Sequence, residues 1–382
     1  MKKSKEKGAN KVVLTGGHAA TTALATIEEL IRRNALQVSL KRRGGWDICW
    51  IGAKRAIEGK SVPTLESKIF PEMGIRSYPI ISGRLQRKFT LWTLPSVAKI
   101  PFGFLHALFL LLKIRPKIIL SFGGFAAFPV VVAGFILRIP VVIHEQTMAA
   151  GRASKYSAPF ARMVALAREE SKKFFPKAEC KVIGNPLLTQ IAEIKPKEKI
   201  GEPVTIFIVG GSRGSRTINK TVSEIIERLL NENVVIHQTG FLDYEKMQEV
   251  KNSLPKNLRE KYELYPVIDP MDIDGVYKRA DIVVARAGAN TVAEIIAIKR
   301  PAVLIPIPWS YENEQVKNAE FAEKFGLAKV LDQQQLTSAK LLKSIKDIEN
   351  NWKNMVEKTK GKKSPDINAA EKLVDLLEVA VR

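Results

Sequence analysis

A histidine closes the loop Thr15-Gly16-Gly17-His18 and is its one titratable group. An imidazole near neutral pKa is a natural general base. The glycines before it let a ligand's phosphates or hydroxyls approach backbone N–H groups at a helix start. A plain strand-to-helix turn with a structural histidine fits the same residues. A second loop, Gly210-Gly211-Ser212-Arg213-Gly214-Ser215, adds hydroxyls and an arginine to its glycines, with Arg216 close behind. That mixture suits a diphosphate. It is neither GxGxxG nor GxxxxGK[ST], so nicotinamide cofactors and P-loop chemistry are not indicated. In the third, Arg286-Ala287-Gly288-Ala289-Asn290-Thr291-Val292-Ala293-Glu294, the carboxylate falls about one turn into a helix. There it can take two hydrogen bonds from a ribose diol. It also reads as a first-turn glutamate favoured by the helix dipole.

Two further clusters follow strands. Gly123-Gly124-Phe125 is one, and His144-Glu145-Gln146-Thr147 with Gly151 is the other. Glu145 beside His144 offers acid–base chemistry or hydroxyl binding. HExxH is absent, so a zinc site is not supported, and neither a metal nor a cofactor is expected. The stretch Glu312-Asn313-Glu314-Gln315-Val316-Lys317-Asn318 carries polar residues suited to sugar hydroxyls, or to a capped helix start.

The elements that must position these loops are legible as β-branched runs alternating with helix-period segments. Strands are expected at 11–14, 47–52, 118–121 and 141–143, then again at 204–209, 234–237, 281–285 and 302–305. Each ends at a turn, many of them chemical. This rhythm implies an α/β chain with two parallel, doubly wound sheets. In such sheets ligands bind beyond the carboxyl ends of the strands. The expected division is an N-terminal Rossmann-like domain over 1–185, a linker over 186–203 rich in lysine, glutamate and proline, and a C-terminal Rossmann-like domain over 204–365. A helix at about 366–382 completes the chain and is expected to pack back on the first domain.

Composition narrows the partners. The 382 residues carry a net charge of +22, which points to nucleic acid, anionic lipid or phosphorylated substrates. The two cysteines, Cys49 and Cys180, form no CxxC pair and read as free thiols of a reducing compartment. No secretory signal and no transmembrane helix are expected. Residues 84–117 interleave Arg84, Arg87, Lys88, Lys99, Lys113, Arg115 and Lys117 with large apolar side chains, which suits a surface lying on an anionic bilayer. A helix with an apolar core face is the other reading. No RNP, KH, zinc-finger or helix-turn-helix pattern is present, so nucleic acid is not an expected partner.

Together these motifs resemble one family, the MurG peptidoglycan glycosyltransferases, which add N-acetylglucosamine to undecaprenyl-diphospho-muramoyl-pentapeptide. The resemblance spans roughly 12–326 and also takes in Gly184-Asn185-Pro186, Gln315 and Asn318-Ala319. It implies a GT-B fold, two Rossmann-like domains facing across a cleft, and inverting transfer without a metal. It places UDP-N-acetylglucosamine on the C-terminal half, with Ile268 by the uracil, Glu294 on the ribose, and Glu314 and Gln315 on the sugar. Ser212 and the backbone around Ala289, Asn290 and Thr291 would hold the diphosphate, with Arg213, Gly214, Arg286 and Asn318 nearby. The acceptor's diphosphate would lie on the loops of Thr15, Gly16 and Gly17 and of Gly123, Gly124 and Phe125, beside Gln146 and Thr147. His18 would be the base candidate, with Glu145 near it. The implied location is the cytoplasmic face of the membrane, peripherally bound, with a cell-wall synthesis complex as a further partner. The chain departs from the family at Thr147 and Ser154, where asparagines are usual, at Leu188, where arginine is usual, and at Glu314, where glutamine is usual. Two rival readings are a GT-B enzyme using another lipid acceptor such as diacylglycerol, and a non-catalytic UDP-sugar-binding membrane protein.

Overall fold

The computed structural model describes residues 10–17, 19–39, 45–54, 64–81, 93–211 and 213–382, with backbone alone for 93–99. The chain forms two units, Met1–Leu188 with Pro365–Arg382, and Thr189–Ser364.

The first unit is built on strands β1 (Asn10–Gly16), β2 (Trp46–Gly52), β3 (Arg76–Pro79), β4 (Ile118–Ser121), β5 (Val141–Glu145), β6 (Met163–Leu166) and β7 (Cys180–Val182). Its helices are α1 (Ala20–Ser39), α2 (Leu65–Glu72), α3 (Thr93–Ile114), α4 (Ala127–Ile136) and α5 (Arg152–Ser157). The strands pair in parallel in the order β3-β2-β1-β4-β5-β6-β7. Runs such as Ile118-Ile119-Leu120 and Val141-Val142-Ile143 are buried at every residue. Parallel strands covered on both faces need such continuous apolar runs rather than alternation.

The second unit repeats the plan with β8 (Val204–Val209), β9 (Asn233–Gln238), β10 (Tyr262–Tyr265), β11 (Ile282–Ala285), β12 (Ala302–Leu304) and β13 (Ala328–Val330). Its order is β10-β9-β8-β11-β12-β13, again all parallel. The helices are α6 (Thr189–Ala192), α7 (Arg216–Ser223), α8 (Ile226–Glu232), α9 (Tyr244–Ser253), α10 (Lys256–Arg259), α11 (Ile273–Arg279), α12 (Ala289–Ile298), α13 (Glu314–Phe325) and α14 (Ser338–Glu357). A last helix, α15 (Ala369–Val381), belongs to the first unit.

Residues 186–203 are packed rather than free. They include α6, Leu187, Leu188, Ile191 and Ile194 are buried, and Lys197 Nζ pairs with buried Asp281 at 2.6 Å. The C-terminal segment is pinned to the first unit through Asp366. Its carboxylate takes Arg168 Nη1 at 2.6 Å and Nη2 at 2.8 Å, and also accepts Asn185 N at 2.7 Å. Both side chains of that ion pair are buried. Gly184 makes the junction tight: with φ of +95°, a Cβ there would lie 2.3 Å from Pro365 O. Farther along, α15 docks on α1, where Arg33 bonds Asp375 at 2.6 Å and Glu378 at 3.0 Å.

Helix α3 buries Ala107, Leu110, Leu111 and Ile114. Its outer face carries Phe102, Leu105, Phe109 and Leu112, between 58% and 65% exposed. That spacing is one helical stripe. Arg84, Arg87 and Lys88 of the same basic and apolar region lie outside the described residues. Among the described residues, no helix is long and apolar enough to cross a membrane.

Candidate functional site

Each sheet reverses its strand order once, between β1 and β4 in the first unit and between β8 and β11 in the second. Loops at such a switch point diverge and open a crevice at the carboxyl edge. The glycine-rich loops of the sequence fall at these two places.

In the first unit the loops after β1 and β4 touch through backbone. Gly17 N donates to Gly123 O at 3.1 Å. Gly124, at φ +88°, approaches so closely that a Cβ would lie 2.8 Å from Gly17 N. Phe125 flanks Gly17, and Gly16 is wedged against Phe122 and Trp50. Thr15 is buried in β1, and its hydroxyl has no hydrogen-bond partner. His18 lies outside the described residues, but its neighbours are held on both sides. Beyond it, Ala19 N donates to the buried carboxylate of Glu66 at 3.0 Å, a contact the sequence did not announce. Glu66 thereby satisfies the N–H of the residue that leads into α1.

The loop after β5 completes this edge. Glu145 accepts Thr147 N at 3.1 Å, Thr147 Oγ1 at 2.8 Å and Gly151 N at 3.1 Å. Burial raises its pKa, against the lowering effect of hydrogen bonds from Ser154, Thr147 and Gly151. Its carboxylate thus closes the loop 146–151 on the strand end. Gln146 Oε1 accepts the hydroxyl of Thr22 in α1 at 3.2 Å. His144 is fully buried, donates from Nε2 to Gly184 O at 3.1 Å, and is pushed down to a pKa of about 4 by that burial. It is neutral at physiological pH and ties β5 to Gly184.

In the second unit Ser212 lies outside the described residues, while its neighbours are well defined. Ser215 caps α7, its Oγ accepting Ile218 N. Arg286 is buried, and its guanidinium bonds Ser215 Oγ at 2.8 and 3.1 Å and Ile305 O at 3.0 Å. Burial lowers its pKa to about 10, so it stays cationic at neutral pH. It staples the loops after β8, β11 and β12 together. Asn318 also turns inward, Nδ2 donating to Ala287 O at 3.1 Å. Both residues were expected beside the donor; the structure turns their polar groups onto Ser215, Ile305 and Ala287. Arg213 is exposed, and Ala289, Asn290 and Thr291 form the partly open first turn of α12. A helix start there presents the positive end of the helix dipole.

Glu294 sits one turn further, partly open to solvent, with Tyr277 Oη donating to its Oε2 at 2.7 Å. The surrounding protein raises its pKa to about 7 by desolvation, which the Tyr277 bond opposes. Gln315 accepts Ile307 N through Oε1 at 3.0 Å, and its own N–H bonds Ser310 Oγ at 3.2 Å. Glu314 opens α13 directly after Glu312 and Asn313, which both hold left-handed φ values of 53° and 56°. Non-glycine residues rarely adopt that region, and such strain concentrates at functional sites. Ile268 is half-buried, its N–H held by Gln238, which also grips Gly211. Gln238 and Tyr277 escaped the sequence reading. For Gln238 the signal was its place directly after an expected strand.

Two family models match the chain, the glycosyltransferase family 28 N-terminal domain over residues 15–166 and the C-terminal domain of that family over 205–376. A protein of Clostridium perfringens (strain SM101), named UDP-N-acetylglucosamine–N-acetylmuramyl-(pentapeptide) pyrophosphoryl-undecaprenol N-acetylglucosamine transferase, is 32% identical over 96% of this chain and 98% of its own length. The chain belongs to the MurG family. A protein of the same name from Treponema denticola is 34% identical over 83% of this chain and 81% of its own. The crystal structure of MurG from Acinetobacter baumannii matches with a TM-score of 0.71 at 25% identity, over 97% of this chain and 99% of that one. The two Rossmann-like units are thus those of a GT-B glycosyltransferase, as the MurG resemblance implied.

Proposed function

We propose that the protein transfers N-acetylglucosamine from UDP-N-acetylglucosamine to the C4 hydroxyl of muramic acid in undecaprenyl-diphospho-N-acetylmuramoyl-pentapeptide, a step of peptidoglycan biosynthesis. The reaction inverts the anomeric carbon and uses no metal. The acceptor hydroxyl attacks that carbon and yields its proton to a base, for which His18 is the candidate. The bond to UDP breaks, and the departing diphosphate takes the negative charge. Fixed donors and a helix dipole stabilise such charge without reorganising. The first turn of α12 and the loop of Gly211 to Gly214 supply them here. Glu145 then acts by ordering the acceptor loop, and Arg286 and Asn318 by holding the donor loops in register.

Glu294 is the observation that carries this reading. A carboxylate with one oxygen on Tyr277, partly open, at the start of the switch-point helix is built to accept a ribose diol. Only the ionised form accepts both hydroxyls. With the pKa near 7, the free protein must lose a proton to bind as pH falls below that value. Donor affinity therefore weakens as pH falls, by about tenfold between about pH 8 and pH 6. UDP-N-acetylglucosamine has no group of its own titrating there. Calorimetric titration across this range measures it, and Glu294→Gln should bind more weakly at high pH with a flat profile. A wild-type profile as flat as that of the variant would remove Glu294 from the ribose.

The lipid-linked acceptor lies at a membrane surface. We assign the stripe of Phe102, Leu105, Phe109 and Leu112, with Lys113, Arg115 and Lys117 beyond it, to contact with an anionic bilayer on its cytoplasmic face. Phe109→Glu is expected to lower binding to phosphatidylglycerol vesicles by about tenfold or more in a flotation assay. Unchanged flotation would move the contact elsewhere.

A further inference from the structure

Gln238 ends β9, the strand between β8 and β10. Its side chain is only 5% exposed. Nε2 donates to Gly211 O at 3.2 Å, and Oε1 accepts from Ile268 N at 2.9 Å. One primary amide thus joins the loop after β8 to the loop after β10. The two partners need opposite things, a donor for the carbonyl and an acceptor for the N–H. An amide supplies both from one planar group. An ionised carboxylate would set an oxygen against Gly211 O, and an alkyl chain would leave both groups unpaired.

The glycines of the loop after β8 show why this matters. A Cβ at Gly210 would lie 2.4 Å from Ser215 N, and one at Gly214 would lie 2.0 Å from Thr239 O. Those two are packed against protein. Gly211 has φ of +85° and nothing within 4 Å of where its Cβ would be. It is the glycine of this loop that faces open space. Its carbonyl also accepts Gly214 N at 2.9 Å. Two donors therefore hold that carbonyl inward, away from any anion in the loop. The turn beyond Gln238 is fixed as well, because Asn219 Nδ2 donates to Thr239 O at 2.8 Å and Asn219 Oδ1 bonds His237 at 3.0 Å.

We propose that Gln238 is a positioning residue that sets the spacing between the nucleobase part and the diphosphate part of the donor site, so that the two halves of a UDP-sugar bind cooperatively. This rests on the donor-site reading above. A ligand spanning both loops gains from the fixed spacing. A ligand touching the loop of Ile268 alone does not.

The test compares uridine with UDP-N-acetylglucosamine on the full chain, wild type against Gln238→Ala. Calorimetry gives the nucleotide-sugar Kd, and titration followed by NMR gives the weaker uridine Kd. In the variant, the Kd and KM for UDP-N-acetylglucosamine should rise about tenfold. The kcat and the uridine Kd should stay within about twofold. Equal weakening of both ligands would overturn the coupling, since Gln238 would then merely shape the nucleobase pocket. Unchanged binding of both would overturn it too. If the alanine variant fails to fold, Gln238→Glu keeps the side chain's size and carries the same comparison. Wild-type protein that bound neither ligand would bring down the donor-site reading, and the coupling with it.

Discussion

Alanine at His18 is expected to lower kcat by about 10²–10⁴-fold while leaving the KM for UDP-N-acetylglucosamine within about twofold. The expectation follows from position. The chain on one side of His18 is tied by Gly17 N to Gly123 O, and on the other by Ala19 N to Glu66. Those two neighbours lie at the switch point of the first sheet, where the loops after β1, β4 and β5 meet. The rivals of His18 for the proton are disqualified by their surroundings. His144 is buried and neutral with Nε2 on Gly184, and Glu145 holds its loop through hydrogen bonds of 2.8 to 3.1 Å to Thr147 and Gly151. The change should appear in single-turnover transfer and not in donor binding. A loss of kcat below about tenfold would demote His18 to a structural residue.

Replacing Asp366 by alanine should be the most damaging substitution far from the chemistry. It would leave the Arg168 guanidinium buried without its bidentate partner and free Asn185 N as well. Breaking a buried pair from one side costs about 3–5 kcal/mol. For a unit of this size that lowers the melting temperature by roughly 6–20 °C. The cost comes from a stranded charge, so a double change, Arg168→Met with Asp366→Leu, should recover most of the loss. Differential scanning calorimetry on the three proteins decides it. A double variant as unstable as Asp366→Ala would mean that the pair's geometry, rather than the lone charge, holds the C-terminal segment.

Much of the architecture was legible because parallel strands leave a plain trace. Ile118-Ile119-Leu120 and Val204 to Val209 can be read as strands from their β-branched runs, and each ends at a glycine or polar loop. Sheet order could not be read, because the runs look alike wherever they pair. The loops expected to carry chemistry lie just past the ends of strands. Gln238 also ends a strand, β9, but an amide there gives no sign of which two loops it joins. Side-chain direction was harder still. Arg286 directly follows β11 and Asn318 lies in α13, yet they point at Ser215, Ile305 and Ala287, because buried carbonyls and hydroxyls there need donors. Sequence shows that an arginine follows β11, but not which way it turns. The Arg168–Asp366 pair was invisible for a different reason. Its members are 198 residues apart, and nothing local marks either as buried.

Transfer of N-acetylglucosamine from its UDP donor to an undecaprenyl-type acceptor can be followed directly. The most direct measurement supplies radiolabelled UDP-N-acetylglucosamine and a short-chain prenyl-diphospho-muramoyl-pentapeptide, in chelator, and follows label into the lipid product. Robust labelling that needs no added metal is the expected result. Absence of labelled product from protein that still binds UDP-N-acetylglucosamine would contradict it, leaving the donor site but turning the acceptor to another lipid, such as diacylglycerol, or the protein to binding alone.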